Sequence, residues 1–413
     1  MSISTVRSRA LAAGACLGAA AASLAFVPGT AQARAESGAA RAQAVRDWNA
    51  VAVRTIAGEA ALAPPAAQLY LGLVSSAVYD AVTHAPPGRA SVRAAVASAA
   101  HDVLASYFPA SAANLGADLD ATLASVSDGA QEVRGVAVGE AAAARLLASR
   151  EPVDMSITLP VDPTPEPGEW RPTPPAFAPM AMAWLGFVDP LLLPSPTSID
   201  VGGPDPITSP EYAADLDEVQ RIGELGSTDP DADAANGIFW NYPVGVLYNV
   251  AVRDWASRTG MGARATARMF ALLNMTSADA IISCWRMKYD EKFWRPITAI
   301  READTDGNGA TTADPTWTPV VATPPYPDWP TGHGCVTSSF IHGLTRLTGS
   351  DTIDLNISNP LTGETRHYSS AAALMESAFL SRIQLGIHFR DAMEDGYRVG
   401  QIASDRGFAA FKN

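Results

Sequence analysis

The chain has 413 residues, 47% of them hydrophobic, with 43 acidic against 29 basic side chains and a net charge of −14. That length allows one large domain or two packed halves, and the negative balance argues against nucleic acid as a partner. Three cysteines, Cys16, Cys284 and Cys335, make no disulfide framework; a single bridge between the last two is allowed.

The N-terminus reads as a secretory signal: Arg7 and Arg9, the apolar run "ALAAGACLGAAAASLAFV", then the small residues "TAQA". Cleavage is expected after Ala33, so residues 1–33 form the signal peptide and 34–413 a secreted, extracytoplasmic chain. The signal carries two arginines and no acid, which takes the mature charge from −14 to −16. No later run reaches the ~18 apolar residues a bilayer span needs, so no membrane span is expected in the mature chain.

Helical periodicity follows. Val45, Trp48, Ala52 and Ile56 share one face, and Tyr70, Val74, Val78 and Val82 another. Residues 95–149 are Ala-rich and continue the pattern, giving an N-terminal helical half over about 40–150. These apolar helices allow packing within one chain or against a second copy, a homodimer. Residues 152–210 hold "DPTPEPGEWRPTPPAFAP", which excludes a helix interior. The tryptophans and Phe177 of that segment suggest that it is pinned to the surface. Helical patterning returns from about 211 to the end. Strand alternation is hard to find, and the predicted class is all-α.

In that C-terminal half, four pieces carry chemistry. In "KYDEKFWRP", Met269, Leu273, Ala280 and Cys284 mark an apolar helix face that Lys288 continues inward, and Arg295 stands before Pro296 seven residues later. A buried lysine is costly unless it is paired or bound to an anion. In "YPDWPTGHGCVTSSF", His333, Val336, Phe340, Leu344 and Leu347 predict a core-facing helix with Thr331 and Gly332 at its N-terminus, where free N–H groups suit an anion. In "SRIQLGIHFRD", Arg382 precedes His388 by six, and Asp391 follows by three, near the histidine if both are helical. The fourth piece, "DTDGNG" at 304–309, opens like a calcium loop, but Pro315 holds the twelfth position where glutamate is needed. A turn-rich loop is expected there, and no calcium over 304–314. Three cations, a helix N-terminus and two histidines together suit one tetrahedral oxyanion.

The order Lys-x6-Arg-Pro, Pro-Thr-Gly-His and Ser-Arg-x5-His, at Lys288 to Pro296, Pro330 to His333 and Ser381 to His388, resembles the vanadium-dependent haloperoxidases and the type 2 phosphatidic acid phosphatases. "DWNAVAV", "AVYDAV", "FWRPITAI", "DPTWTP" and "TPPYPDWPTGHGCV" are similar to the soluble bacterial haloperoxidase branch, over roughly residues 43–412. The resemblance implies an all-α bundle of the haloperoxidase and acid phosphatase type. It implies that Lys288, Arg295, Thr331, Gly332 and Arg382 hold the oxygens of vanadate. His388 would be the axial ligand to vanadium, His333 the acid–base, and Lys288 would polarise the peroxide. The substrates would be hydrogen peroxide and a halide, with an organic acceptor where one is used. The alternative is a secreted acid phosphatase that needs no vanadate: His388 would attack the phosphorus of a phosphate ester, and His333 would protonate the alcohol. Two departures stand out. Thr331 replaces the usual serine, and the aspartate common four residues after the second histidine is Ala392 here, with Asp391 expected in its place. Tyr326, seven before His333, matches neither the phenylalanine of fungal chloroperoxidases nor the histidine of algal bromoperoxidases, and leaves halide preference open.

Overall fold

The computed structural model describes residues 36–411 except 87 and 152; the expected signal peptide, 1–33, lies outside the described residues. Five helices form the N-terminal half: α1 (Gly38–Val53), which runs into a π-helical turn at Arg54–Glu59, α2 (Pro64–His84), α3 (Val92–Tyr107), α4 (Ala112–Ala124) and α5 (Ala130–Ala148). The second half holds α6 (Pro210–Ile222), α7 (Ala234–Trp240), α8 (Val244–Arg258), α9 (Ala263–Glu291), α10 (Pro296–Arg301), α11 (Gly332–Thr348), α12 (Ala371–Gln384) and α13 (Arg390–Ala410). Serine or aspartate hydroxyl and carboxylate groups cap several starts: Ser37, Ser91, Ser209, Asp233 and Ser370 each accept an N–H from the first turn. The class is all-α, as the periodicity predicts.

One small antiparallel hairpin departs from it: β1 (Thr352–Ser358) pairs with β2 (Thr365–Ser370), with Leu355 opposite Tyr368. Its signal was in the sequence: Ile353, Leu355 and Ile357 alternate inward along β1.

The 29-residue α9 runs through the middle, with α1, α2, α11 and α13 packed around it. It is buried along most of its length, so its polar residues need partners inside. Asn274 exchanges hydrogen bonds with Asn249 and donates to Ser75, and Ser277 pairs with Ser339 at 2.7 Å. Asp279 accepts three consecutive N–H groups, from Leu191, Leu192 and Leu193, at 2.5 to 2.8 Å. That carboxylate ties the end of the Pro-rich segment to the central helix.

The Pro-rich segment is irregular and pinned, as expected, by Trp170 and Trp184, both buried. The Trp170 N–H donates to the Lys292 carbonyl and the Trp294 N–H to the Gly168 carbonyl, so the segment clamps the turn after α9. Phe177 does not pin it; the ring is 64% exposed. Among the described residues no helix is long and apolar enough to cross a membrane.

Candidate oxyanion site

The C-terminal end of α9, the turn before α10, the start of α11 and the loop between α12 and α13 meet at one place. Lys288 stands in the last turn of α9, fully buried. Its Nζ donates to the carbonyls of Pro327 (2.9 Å) and Asp328 (2.7 Å) and lies 5.5 Å from the Tyr326 ring and 5.6 Å from that of Trp285. An ammonium has three donors, so one remains. Burial lowers its pKa to about 8.

The turn after α9 uses Lys292 in the left-handed region, φ 49°. Arg295 then caps α10, and Pro296 takes the first helical position, where no N–H is needed. The Arg295 guanidinium is also fully buried. Its Nε donates to the Tyr326 carbonyl and its Nη1 to that of Ile387, both at 2.7 Å, and Nη1 lies 3.2 Å from His388 Nε2. Its Nη2 has no partner.

Helix α11 starts at Gly332 with Thr331 as its cap residue, but the Thr331 hydroxyl makes no capping bond and is buried without a partner. The Thr331 N–H is spent on the Ala392 carbonyl, and the first N–H groups of the helix have no acceptor within it. Gly332 is required by packing: a Cβ there would lie 2.6 Å from the Trp285 ring. His333 follows, with Nε2 buried and unpartnered; burial, then Arg382, holds it neutral, well below the usual histidine range.

Arg382, in the last turn of α12, donates from Nη1 to Asn241 at 3.3 Å and leaves Nε without a partner. Burial lowers it to about 10. His388 lies beyond α12, in the loop before α13. Burial, Arg295, Lys288 and Arg382 keep it neutral. His333, His388, Arg382, Gly332, Tyr326 and Trp285 line one cavity of about 410 Å³. Lys288 and Arg295 lie behind its Tyr326 wall, with the Arg295 guanidinium 4.9 Å from that ring. A larger cleft of about 730 Å³ near the starts of α1 and α9 contains none of these groups; chemistry, not size, marks the smaller one.

The expected partnership of Asp391 with His388 is corrected by the structure. His388 precedes the helix that holds Asp391, so the three-residue spacing does not put them on one helical face. The Asp391 N–H donates to Asp215 at 2.7 Å, and its carboxylate accepts from the Asp205 N–H. Burial, then Asp395 and Asp205, pushes Asp391 up to about 7. The carboxylate beside His388 is Asp328, with Oδ1 2.8 Å from Nδ1. Asp328 is fully buried, and burial pushes it up to about 7 against the pull of Arg295 and Lys288. It is the residue the motif reading missed: it sits in "PDWP", five before His333, with no spacing that ties it to His388. In the "DTDGNG" loop, Asp306 accepts from the Asn308 N–H and the Thr311 hydroxyl, as a turn does.

Arg295 Nη2, Arg382 Nε, Thr331 Oγ1 and His333 Nε2 are thus four buried polar atoms without partners, beside a helix N-terminus and a third cation, Lys288. Buried polar groups are ordinarily paired. Donors, hydroxyl and imidazole together fit a tetrahedral oxyanion, and vanadate in particular, since the neutral His388 offers a lone pair at Nε2.

Comparison with known proteins agrees. Residues 268–412 match the family of the VCPO second helical-bundle domain. Vanadium chloroperoxidase from Curvularia inaequalis is 27% identical over 219 residues, a match that covers 38% of this chain and 35% of that protein. The crystal structure of the first bacterial vanadium-dependent iodoperoxidase superposes with a TM-score of 0.74 at 21% identity, over 90% of this chain and 96% of that one. A holo-type bacterial vanadium-dependent chloroperoxidase gives 0.66 at 16% identity, over 86% and 93%. The chain spans about a third of the curated relative's length and nearly the whole of the solved structures. The chain thus has the fold of the bacterial vanadium-dependent haloperoxidases, and its residues 268–412 match their second helical-bundle domain.

Proposed function

We propose that the protein is a vanadate-dependent haloperoxidase: hydrogen peroxide and a halide, with one proton, give hypohalous acid and water. The observation that carries this is the set of unpartnered buried donors around a cavity that also holds two neutral histidines. Lys288, Arg295, Arg382, Thr331 and the Gly332 N–H would hold vanadate, and the His388 Nε2 lone pair would be its protein ligand. When bound, vanadate supplies Lewis-acid activation of the peroxide, with no change of oxidation state needed.

The protein's own groups do the rest. His333 is neutral and open at Nε2, so it takes a proton from the incoming peroxide and returns it to the leaving oxygen. Lys288, with one donor free, would donate to an oxygen of the peroxide and draw electron density from it. The halide loses two electrons as the O–O bond breaks. Tyr326 and Trp285 limit how much water reaches these charges, which strengthens each interaction.

The reading extends to export with removal of residues 1–33, which N-terminal sequencing of the protein from a producing culture checks. The test of activity is direct. Purified protein reconstituted with vanadate oxidises bromide or iodide in the presence of hydrogen peroxide. Hydrolysis of a phosphate monoester with no halide oxidation overturns the proposal and leaves the phosphatase alternative.

A further inference from the structure

Asp328 is a carboxylate placed where an anion is to bind. It is fully buried, and its peptide is held at both ends: its N–H donates to the Phe293 carbonyl at 2.9 Å, and its carbonyl accepts from Lys288 at 2.7 Å. By charge alone it opposes every oxyanion, vanadate and phosphate alike. Its pairing with Arg295 is loose, 3.4 Å from Nη1, so it is not simply that arginine's counter-ion. Its short contact is with His388 Nδ1, at 2.8 Å. A carboxylate there accepts the Nδ1 proton, fixes the ring and leaves the lone pair on Nε2. Arg295 Nη1 lies 3.2 Å from Nε2 and 3.4 Å from Nδ1, so it does not distinguish the tautomers; the short Asp328 contact does.

We propose that Asp328 is a positioning residue whose pairing with His388 makes the site prefer an oxyanion that bonds to imidazole nitrogen over one held only by charge and hydrogen bonds. Vanadate is of the first kind and inorganic phosphate of the second. The inference rests on the vanadate reading above. It also explains how the chain manages without an aspartate at position 392: a carboxylate from the turn before α11 takes over from one on α13.

The test is a pair of titrations on the full-length protein freed of bound oxyanion, one with vanadate and one with inorganic phosphate, read by tryptophan fluorescence or calorimetry. Asp328→Asn and Asp328→Ala are expected to weaken vanadate binding about 10- to 100-fold, the usual cost of losing the carboxylate behind a ligating histidine. Phosphate affinity is expected to stay or to tighten, because a repelling charge has gone. Phosphate binding also reports that the variant is folded; where the alanine variant is not, the near-isosteric asparagine variant decides. Asp391→Asn is expected to move neither affinity. An unchanged vanadate affinity in Asp328→Asn overturns the inference, and so does a parallel loss for both anions, which would mark Asp328 as scaffold. Wild-type protein that binds no vanadate overturns it together with the activity reading. The two separate cleanly: opposite movement of the two affinities without halide oxidation leaves this inference standing and ends the other, while halide oxidation with an unaltered vanadate affinity in Asp328→Asn does the reverse.

Discussion

Thr331 differs from serine by one methyl group, and the structure shows where that methyl goes. A Cβ on Gly334 or on Gly396 would each lie 2.6 Å from Thr331 Cγ2, so the methyl fills a slot left by two glycines. The slot fixes χ1 and with it the direction of Oγ1. Thr331→Ser should therefore lower stability by about 1 kcal/mol, the worth of a buried methyl, seen as a lower midpoint of chemical unfolding. Its oxyanion affinity should weaken only about twofold, from regained rotamer freedom of order 0.5 kcal/mol. Thr331→Val keeps the shape and removes the hydroxyl, so affinity should fall about 10- to 100-fold, a charge-assisted hydrogen bond of about 1.5–3 kcal/mol. Lys288 gives a pH prediction with two signs. Its pKa is lowered from 10.5 to about 8 by burial. Oxyanion affinity should decline as pH rises past about 8, because a cation is lost. Unfolding free energy should gain from the same residue between about 8 and 10.5, where the unfolded chain binds the proton and the folded one does not. Titrations and denaturant curves at pH 7 and 9.5, compared with Lys288→Met, check both. At this scale Lys288, Arg295, His333, Arg382 and His388 were legible, because each carries a charge or a ring into an apolar pattern. Asp328 was not, because its relation to His388 crosses some sixty residues and exists only after folding.

The helices set how close these groups come. On α13, Gly396 and Gly400 face the start of α11; a Cβ on Gly400 would lie 2.4 Å from the Cys335 carbonyl and 2.6 Å from the Ser339 nitrogen. Both are backbone atoms, so Gly400→Ala has to push the two helices apart. A destabilisation of about 1–3 kcal/mol is expected from such overpacking, with weaker oxyanion binding because the N-terminus of α11 moves with it. Thermal unfolding and phosphate titration of the same variant read the two effects. A second prediction concerns α9. Asp279→Ala leaves the N–H groups of Leu191, Leu192 and Leu193 without their acceptor, and should cost about 2–4 kcal/mol. Urea unfolding measures it. Element existence was readable from period and from proline, but element ends were not. The expectation for Asp391 failed because α13 begins at Arg390, two residues after His388, and an i to i+3 argument needs both residues inside one helix. The β1–β2 hairpin was overlooked because three alternating residues are a weak signal beside helices of 14 to 21 residues.

Over the whole molecule, charge and site oppose each other. The chain carries −14, while Arg382 lines the cavity and Arg295 and Lys288 stand behind its Tyr326 wall. The far field therefore slows an anion on approach, and salt relieves it, since the screening length drops from about 30 Å at 0.01 M to about 8 Å at 0.15 M. The association rate of vanadate, followed by stopped-flow fluorescence, should rise as a non-coordinating salt is raised over that range. A falling rate would mean that the local cations steer from a distance. The cavity's Arg382, His333 and His388 come from residues 333–388, with Lys288 and Arg295 behind its Tyr326 wall, yet much of its remaining lining comes from elsewhere, with Pro64, Pro65 and Gln68 at the start of α2, Met182 from the Pro-rich segment and Tyr242 ahead of α8. The charged groups and much of the remaining lining are thus written in separate stretches of the gene. Selection can reshape that lining without touching the charged groups, and a library confined to those wall positions would change the cavity's shape while leaving the oxyanion site intact.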